Sequence, residues 1–488
     1  MTFVFYDTET TGTDTSFDQI LQFAAIRTDD DLIELDRFEI RCRLLPHVIP
    51  APGALLATRV TPAVLTDSTL PSHYEAVCAI ADQLKRWSPA TFVGYNSIEF
   101  DEKLLRQAFY QSLKPIYLTN TGGNQRADIL KLIDAAIVFD ANSIAVPLSD
   151  KGRITRRLDR IAPANGFDHV NAHDAQADVE ATIFMARLVR TRNPSLWDEV
   201  MASSAKNAAI DILRSNDALA LVEAHYARHN VIPVTWCGQN PTYAAQIGVF
   251  DLRHDPADFI GLTTQQLTKA IKAPKSALRI VKANAQPILI SLARAGRDAI
   301  KDLPSNSVIA SRLRAIQSNK SFQSRVGEAI SGRYPEAAPS PLIEKRIYDR
   351  FSTAGDMRLA AMFHEAPWEA RRPMLDKLGD DRLRELGLRL LAFEAHHQLS
   401  ADEQAQFHSW LRRRRLGPTT ERSFRTIEHA ISECLQDLGR ASGEDINRLR
   451  EIFSWLESMP GTPIEGPPNE TQSSSGASRF SALESRTG

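Results

Sequence analysis

The chain has 488 residues, 43% hydrophobic and 24% charged, with a net charge of −2 at pH 7. This is the make-up of a soluble globular protein too long for one ordinary core, so two or three domains are expected. No apolar run approaches the roughly 18–20 residues that span a bilayer, and no signal peptide or membrane association is expected. Cys42, Cys78, Cys237 and Cys434 lie far apart with no CxxC pair, which favours a reducing compartment, by default the cytoplasm, and excludes a cysteine-based zinc site.

The chain opens with MTFVFYDTETTG. Phe3–Tyr6 predicts a buried strand, with Asp7 and Glu9 at its end. Side chains two apart on an extended segment share a face, so the two carboxylates aim at one spot. A divalent metal would offset their repulsion; taken alone, the pair also fits a strand end in water. Ile20–Thr28 and Phe38–Leu44 read as further strands, with a turn at Asp29–Asp31, so a mixed sheet is expected. Residues 46–71 read as a structured loop, 72–88 as an amphipathic helix and Thr91–Tyr95 as a short strand. Asp101 then starts a helix running to Ser112, where a carboxylate also serves as a helix cap. Ile129–Phe139 and a short segment at Leu158–Ile161 are helical. Asp174 caps a long helix to Arg192, with His173 at its mouth and Asp178 one turn inside. This alternation predicts an α/β domain over residues 1–192.

Residues 193–338 show short β-like runs (Val231–Trp236, Gln246–Leu252, Ala277–Val281, Pro287–Leu292) interrupted by helical pieces, which predicts a small α+β domain with a partly open sheet or barrel. PEAAPSP at 335–341 reads as a linker. Residues 339–458 predict a helical domain, and 459–488, rich in Pro, Gly, Ser and Thr, a disordered tail. Charge is uneven along the chain. Residues 1–50 carry 4 Lys+Arg against 10 Asp+Glu, whereas 251–350 carry 17 against 9. An acidic front suits a metal site, and a basic middle suits a phosphate backbone. Arg412–Arg415 reads as an exposed helix end rather than a DNA patch.

The ordered set Asp7-x-Glu9, Asp101 after a strand, and His173-x4-Asp178 on a helix resembles the DEDDh 3′–5′ exonuclease superfamily, with its ribonuclease H-like mixed sheet. QFAAIRTD (22–29), VIPAPGALLATRVTP (48–62), GYNSIEFDEKLLRQAFY (94–110) and ANGFDHVNAHDAQADVEATIFMARLV (164–189) together resemble the bacterial exodeoxyribonuclease I family. Arg346–Met362 resembles it more weakly, and residues 195–340 only thinly. The resemblance implies Mg²⁺-dependent, processive, single-strand-specific 3′–5′ degradation of DNA to 5′-mononucleotides in repair and recombination. It implies two ions, Mn²⁺ being an alternative, with Asp7, Glu9 and Asp178 as metal ligands. Asp101 would act through water and His173 as general base. It also implies a middle barrel resembling the Src-homology-3 fold, a C-shaped groove closed by the C-terminal helices, and single-stranded DNA-binding protein as a partner. Substrate contacts would fall on Glu9, Arg106, Tyr110 and Arg157, with one departure from the family pattern at Leu158-Asp159. A monomer is expected. Two other readings stay open: a DEDDh nuclease for proofreading or RNA 3′ ends, and a catalytically silent scaffold that binds single strands.

Overall fold

The computed structural model describes residues 2–168, 174–215, 218–225, 228–333, 338–417 and 424–459. Residues 335–337 of the linker at 335–341 and all but the first residue of the 459–488 tail lie outside the described residues.

The first unit is built on a five-stranded mixed sheet: β1 (Phe3–Thr10), β2 (Ile20–Thr28), β3 (Glu34–Arg41), β4 (Thr91–Gly94) and β5 (Gln125–Asp128), in the order β3-β2-β1-β4-β5. The first three form an antiparallel meander, and β4 and β5 add in parallel to β1. The side-chain period of two splits β1 cleanly. Phe3 and Phe5 enter one core with the helices Ile129–Phe139 and Ala175–Arg192. Val4 and Tyr6 enter the opposite core with His73–Arg86 and Asp101–Gln111. Asp7 and Glu9 therefore lie in register with the first face, and Thr8 with the second.

Several boundaries differ from the sequence reading. The third strand is Glu34–Arg41 rather than Phe38–Leu44. Its first four residues, Glu34–Arg37, are exposed and three of them are charged, so hydrophobic patterning misplaced it. Two short helices, Pro52–Thr58 and Pro62–Leu65, interrupt the 46–71 loop, each with proline at its first position, where the missing N–H costs nothing. The strand β5 (QRAD) carries no apolar periodicity and went unseen.

The second unit holds an open antiparallel sheet of β6 (Leu219–His225), β7 (Arg228–Gln239), β8 (Gln246–Asp251), β9 (Leu278–Lys282) and β10 (Ile288–Ser291), in the order β10-β6-β7-β8-β9. Helices Asn306–Ser318 and Lys320–Ser331 pack beside it. Gly238, Gly248 and Gly327 permit the closest approach: a Cβ on Gly327 would stand 2.4 Å from Gln239 O. The third unit is helical, with six α-helices between Ala354 and Ser458 among the described residues.

The units share cores. Pro194 starts a helix to Ala202, whose Leu196, Trp197 and Val200 join the first-unit core together with Val222 and Ile290 of the second sheet. Leu21, Ile49, Leu55 and Leu65 of the first unit pack with Ile427, Ile431, Leu449 and Phe453 of the third. Trp197 is 5% exposed and meets Phe3 edge to face at 6.0 Å. Trp197→Ala is expected to lower unfolding free energy by about 3–5 kcal/mol in urea titrations. An effect below about 1 kcal/mol would mean that this seam is not load-sharing.

Candidate active site

Strand β1 places Asp7 and Glu9 opposite Ala24 and Gln22 of β2, with a register shift just beyond Glu9. Asp178 arrives on the helix Ala175–Arg192, whose first turn is capped by Asp174 through the N–H groups of Gln176 and Ala177. The Asp174 carboxylate also accepts from Arg41 Nη2 at 2.6 Å and Gln22 Nε2 at 3.1 Å, which fastens the helix start to β2 and β3. The outcome is a tight group: ligand atoms of Asp7, Glu9 and Asp178 all lie within 4.8 Å of one another.

Asp101 enters from the other face, at the first position of its helix, and Thr8 Oγ1 donates to its Oδ1 at 2.5 Å. The loop leading to it is held by Asp128, whose carboxylate accepts the N–H groups of Asn96 at 2.8 Å and Ile98 at 3.3 Å. Sequence reasoning missed Asp128; its only signal was a carboxylate immediately before a helix. It also missed the reason for Gly12. A Cβ there would lie 2.5 Å from Asp18 Oδ2, and Asp18 binds Thr11 Oγ1 at 2.8 Å and Arg425 of the third unit at 3.4 Å. The turn after the acidic strand is thus held from the C-terminal unit. His173 lies outside the described residues.

The electrostatics are those of a cation site. Burial pushes the Asp7 carboxyl well above the usual range, and the charges of Asp101, Asp178 and Glu9 push it further. Burial, then Asp178 and Asp101, pushes Glu9 up to about 9, against a smaller lowering by Arg41. Burial pushes Asp101 up to about 7, opposed by its bond from Thr8. Three hard oxygen donors that repel one another fit a divalent ion.

The family profile described as Exonuclease matches residues 4–185, and that described as Exonuclease I C-terminal domain matches 342–459. Exodeoxyribonuclease I of Escherichia coli (strain K12) is 29% identical over 439 residues, covering 85% of this chain and 89% of that protein. Over most of its length the chain is thus similar to bacterial exodeoxyribonuclease I. The structure of Exonuclease I from Methylocaldum szegediense covers 94% of the chain and 99% of its own at 25% identity, with a TM-score of 0.81. The zinc-bound form of an E. coli ExoI–ssDNA complex covers the same shares at 23% identity and a TM-score of 0.81, a likeness of fold.

Against that family frame, the three residues expected to contact substrate besides Glu9 separate. Tyr110 is 3% exposed, packs into the third unit's core and donates to Ile343 O at 3.1 Å. Its ring therefore offers no face for a base, and the sequence expectation for it is corrected. Arg106 is engaged within the protein: its side chain is 12% exposed, pairs with Glu102 at 2.8 Å, bonds Asn120 and lies 4.9 Å from the Tyr117 ring centre. Arg157 is 66% exposed, with a chelating contact to Asp159, the residue that departs from the family pattern. It lines a cavity of about 1390 Å³ with Tyr95, Arg153, Arg156, His225 and Arg228, between the first two units. The Arg412–Arg415 stretch is not uniformly an exposed helix end either, since Arg414 is buried between Phe17 and Phe424.

A carboxyl raised by burial stabilises the fold below its unfolded pKa of about 4, and that contribution is lost as pH rises through the folded value. Metal-free protein in EDTA is therefore expected to lose thermal stability between about pH 5 and 9. Added Mg²⁺ should restore it by an increment that grows over the same range, because binding needs the ionised carboxylates. Asp7→Asn should melt higher than wild type in EDTA at pH 9 and lose most of the Mg²⁺ increment. A pH-independent increment in differential scanning fluorimetry would contradict this account of the site.

Proposed function

We propose that the chain is a Mg²⁺-dependent 3′–5′ exodeoxyribonuclease that acts on single-stranded DNA and releases 5′-mononucleotides. The observation that carries this reading is the convergence of Asp7, Glu9 and Asp178 within 4.8 Å, with Asp101 bonded to the same strand. The exodeoxyribonuclease of E. coli and the single-stranded DNA in the complex of that fold support the substrate class. Carboxylate oxygens suit Mg²⁺ or Mn²⁺, and the repulsion among them is the deficit such an ion fills. Asp7, Glu9 and Asp178 would hold one ion, and Asp7 with Asp101, through water, a second. When bound, a pair of such ions supplies an acidified water and neutralises charge at the scissile phosphate.

The chain's own groups do the rest. Thr8 keeps the Asp101 carboxylate turned toward β1. His173, five residues before Asp178, takes the proton of the attacking water, a task that suits an imidazole with an unperturbed pKa near 6.5. Arg157 and the neighbouring arginines grip phosphates of the incoming strand, in the cavity between the first two units. The reading extends to a cytoplasmic monomer serving repair and recombination, with single-stranded DNA-binding protein as partner; four unpaired cysteine thiols are consistent with a reducing compartment. No described helix is long and apolar enough to cross a membrane.

With 5′-labelled single-stranded DNA and Mg²⁺, the protein should shorten the strand from its 3′ end and release mononucleotides. EDTA or Asp7→Ala should abolish the activity, and Asp101→Asn should lower turnover by about 10²–10³-fold. Preference for blunt duplex or RNA, assayed in parallel, would move the assignment to another DEDDh nuclease. Tight binding with no shortening in Mg²⁺ or Mn²⁺ would make the chain a scaffold. Arg157→Ala should raise KM with kcat little changed and reduce the salt slope of binding by about 1. An unchanged slope would remove Arg157 from the strand's path.

A further inference from the structure

Tyr6 and Thr8 flank Asp7 on β1 and point to the face opposite it. There they meet two consecutive residues of the helix Asp101–Gln111. Thr8 Oγ1 donates to Asp101 Oδ1 at 2.5 Å, and Tyr6 Oη donates to Glu102 Oε2 at 3.2 Å. Strand and helix are thus fastened twice, once on each side of Asp7.

Glu102 is 1% exposed, and its carboxylate gathers much more than the tyrosine. Its Oε1 accepts from Thr119 Oγ1 at 2.7 Å and from Arg106 Nε at 2.8 Å, and lies 3.3 Å from Arg126 Nη1. Arg126, on β5, extends its Nη2 to Asn284 O of the second unit at 3.1 Å. A buried carboxylate is costly unless it is paired and hydrogen-bonded, and this one takes donors from β1, β5, its own helix and the segment before β5. Buried ion pairs are often replaceable by apolar residues at little cost in stability, so stability alone is a poor reason for this cluster. Geometry is a better one. Successive helical residues are about 100° apart around the axis, so anchoring Glu102 sets the rotation of the helix and with it the direction of Asp101.

We infer that Glu102 is a positioning residue, which sets Asp101 against Asp7 by locking the first turn of its helix to Tyr6, Thr119 and Arg126. The inference rests on the reading of Asp7 and Asp101 as parts of one metal-dependent site. It reassigns Arg106 from a strand contact to a member of this cluster.

The test is Mn²⁺ binding to the full chain without DNA, followed by electron paramagnetic resonance, beside kcat and KM on single-stranded DNA. Glu102→Gln should weaken Mn²⁺ binding or lower kcat by about 10–100-fold, the usual effect of losing a partner behind a metal ligand, with KM for the strand little changed. Glu102→Asp keeps the charge but shortens the arm, and should lose nearly as much if geometry is what matters. Tyr6→Phe, which removes one hydroxyl, should shift both readouts the same way by a smaller factor, about 3-fold, and add nothing to Glu102→Gln in the double variant. Wild-type Mn²⁺ affinity and kcat in Glu102→Gln, with only the melting temperature lowered, would overturn the inference. So would full function in Glu102→Asp. Should Glu102→Gln fail to fold, Tyr6→Phe decides by itself. If wild-type protein binds Mn²⁺ but does not degrade DNA, the proposed activity falls, and the Mn²⁺ shift still tests the positioning role.

Discussion

Carboxylates held close together in a partly buried place dominate this protein. Like charges within 4.8 Å repel by about 3 kcal/mol or more per pair at an effective dielectric of about 20. The sheet resists that repulsion because Asp7 and Glu9 are part of a central strand paired on both sides, with β2 antiparallel and β4 parallel. Asp178 and Asp101 approach from helices on opposite faces of the same sheet, the first helix fastened through its cap Asp174 to Gln22 and the second through the bond of Thr8 to Asp101 itself. The fold supplies the constraint, and a divalent ion relieves it.

The rest of the chain braces that arrangement. Arg425 of the third unit pairs with Asp18, which in turn holds Thr11 just past the acidic strand. Glu344, buried between Arg389 at 2.8 Å and Arg414 at 3.4 Å, accepts Gln107 Nε2 through its backbone oxygen, so the Asp101 helix is also tied to the third unit. The second unit reaches in through Asn284 and through apolar residues of its sheet. Because the cores are shared, the added units are continuous with the carboxylate site. A strand held by the arginines between the first two units would be held against the same framework.

How much of this was legible depended on whether a short pattern carried the information. The strand Ile20–Thr28 and the helices Ile129–Phe139 and Ala175–Arg192 follow from local apolar periodicity and capping, and the structure places them where the pattern did. Asp7, Glu9 and Asp178 were legible as a set through their order and context. β5 was not, because four residues with two charges have no periodicity; its strand character comes from pairing with β4. Tyr110 was misread for a related reason. On a helix near an acidic site, a tyrosine looks the same whether it faces a strand of DNA or another domain.

The sequence by itself determined the local elements, the acidic end of β1 and the identity of the groups that converge, since strand periodicity and helix capping are properties of neighbouring residues. Only the tertiary structure decided which side chains are spent holding the protein together. Whether Glu102 meets Tyr6 and Arg126, whether Arg414 is exposed or stacked on Phe17, and whether Tyr110 faces solvent or a core all depend on partners tens to hundreds of residues away. No local pattern encodes such contacts, because a charge or an aromatic ring reads alike until the chain has folded around it.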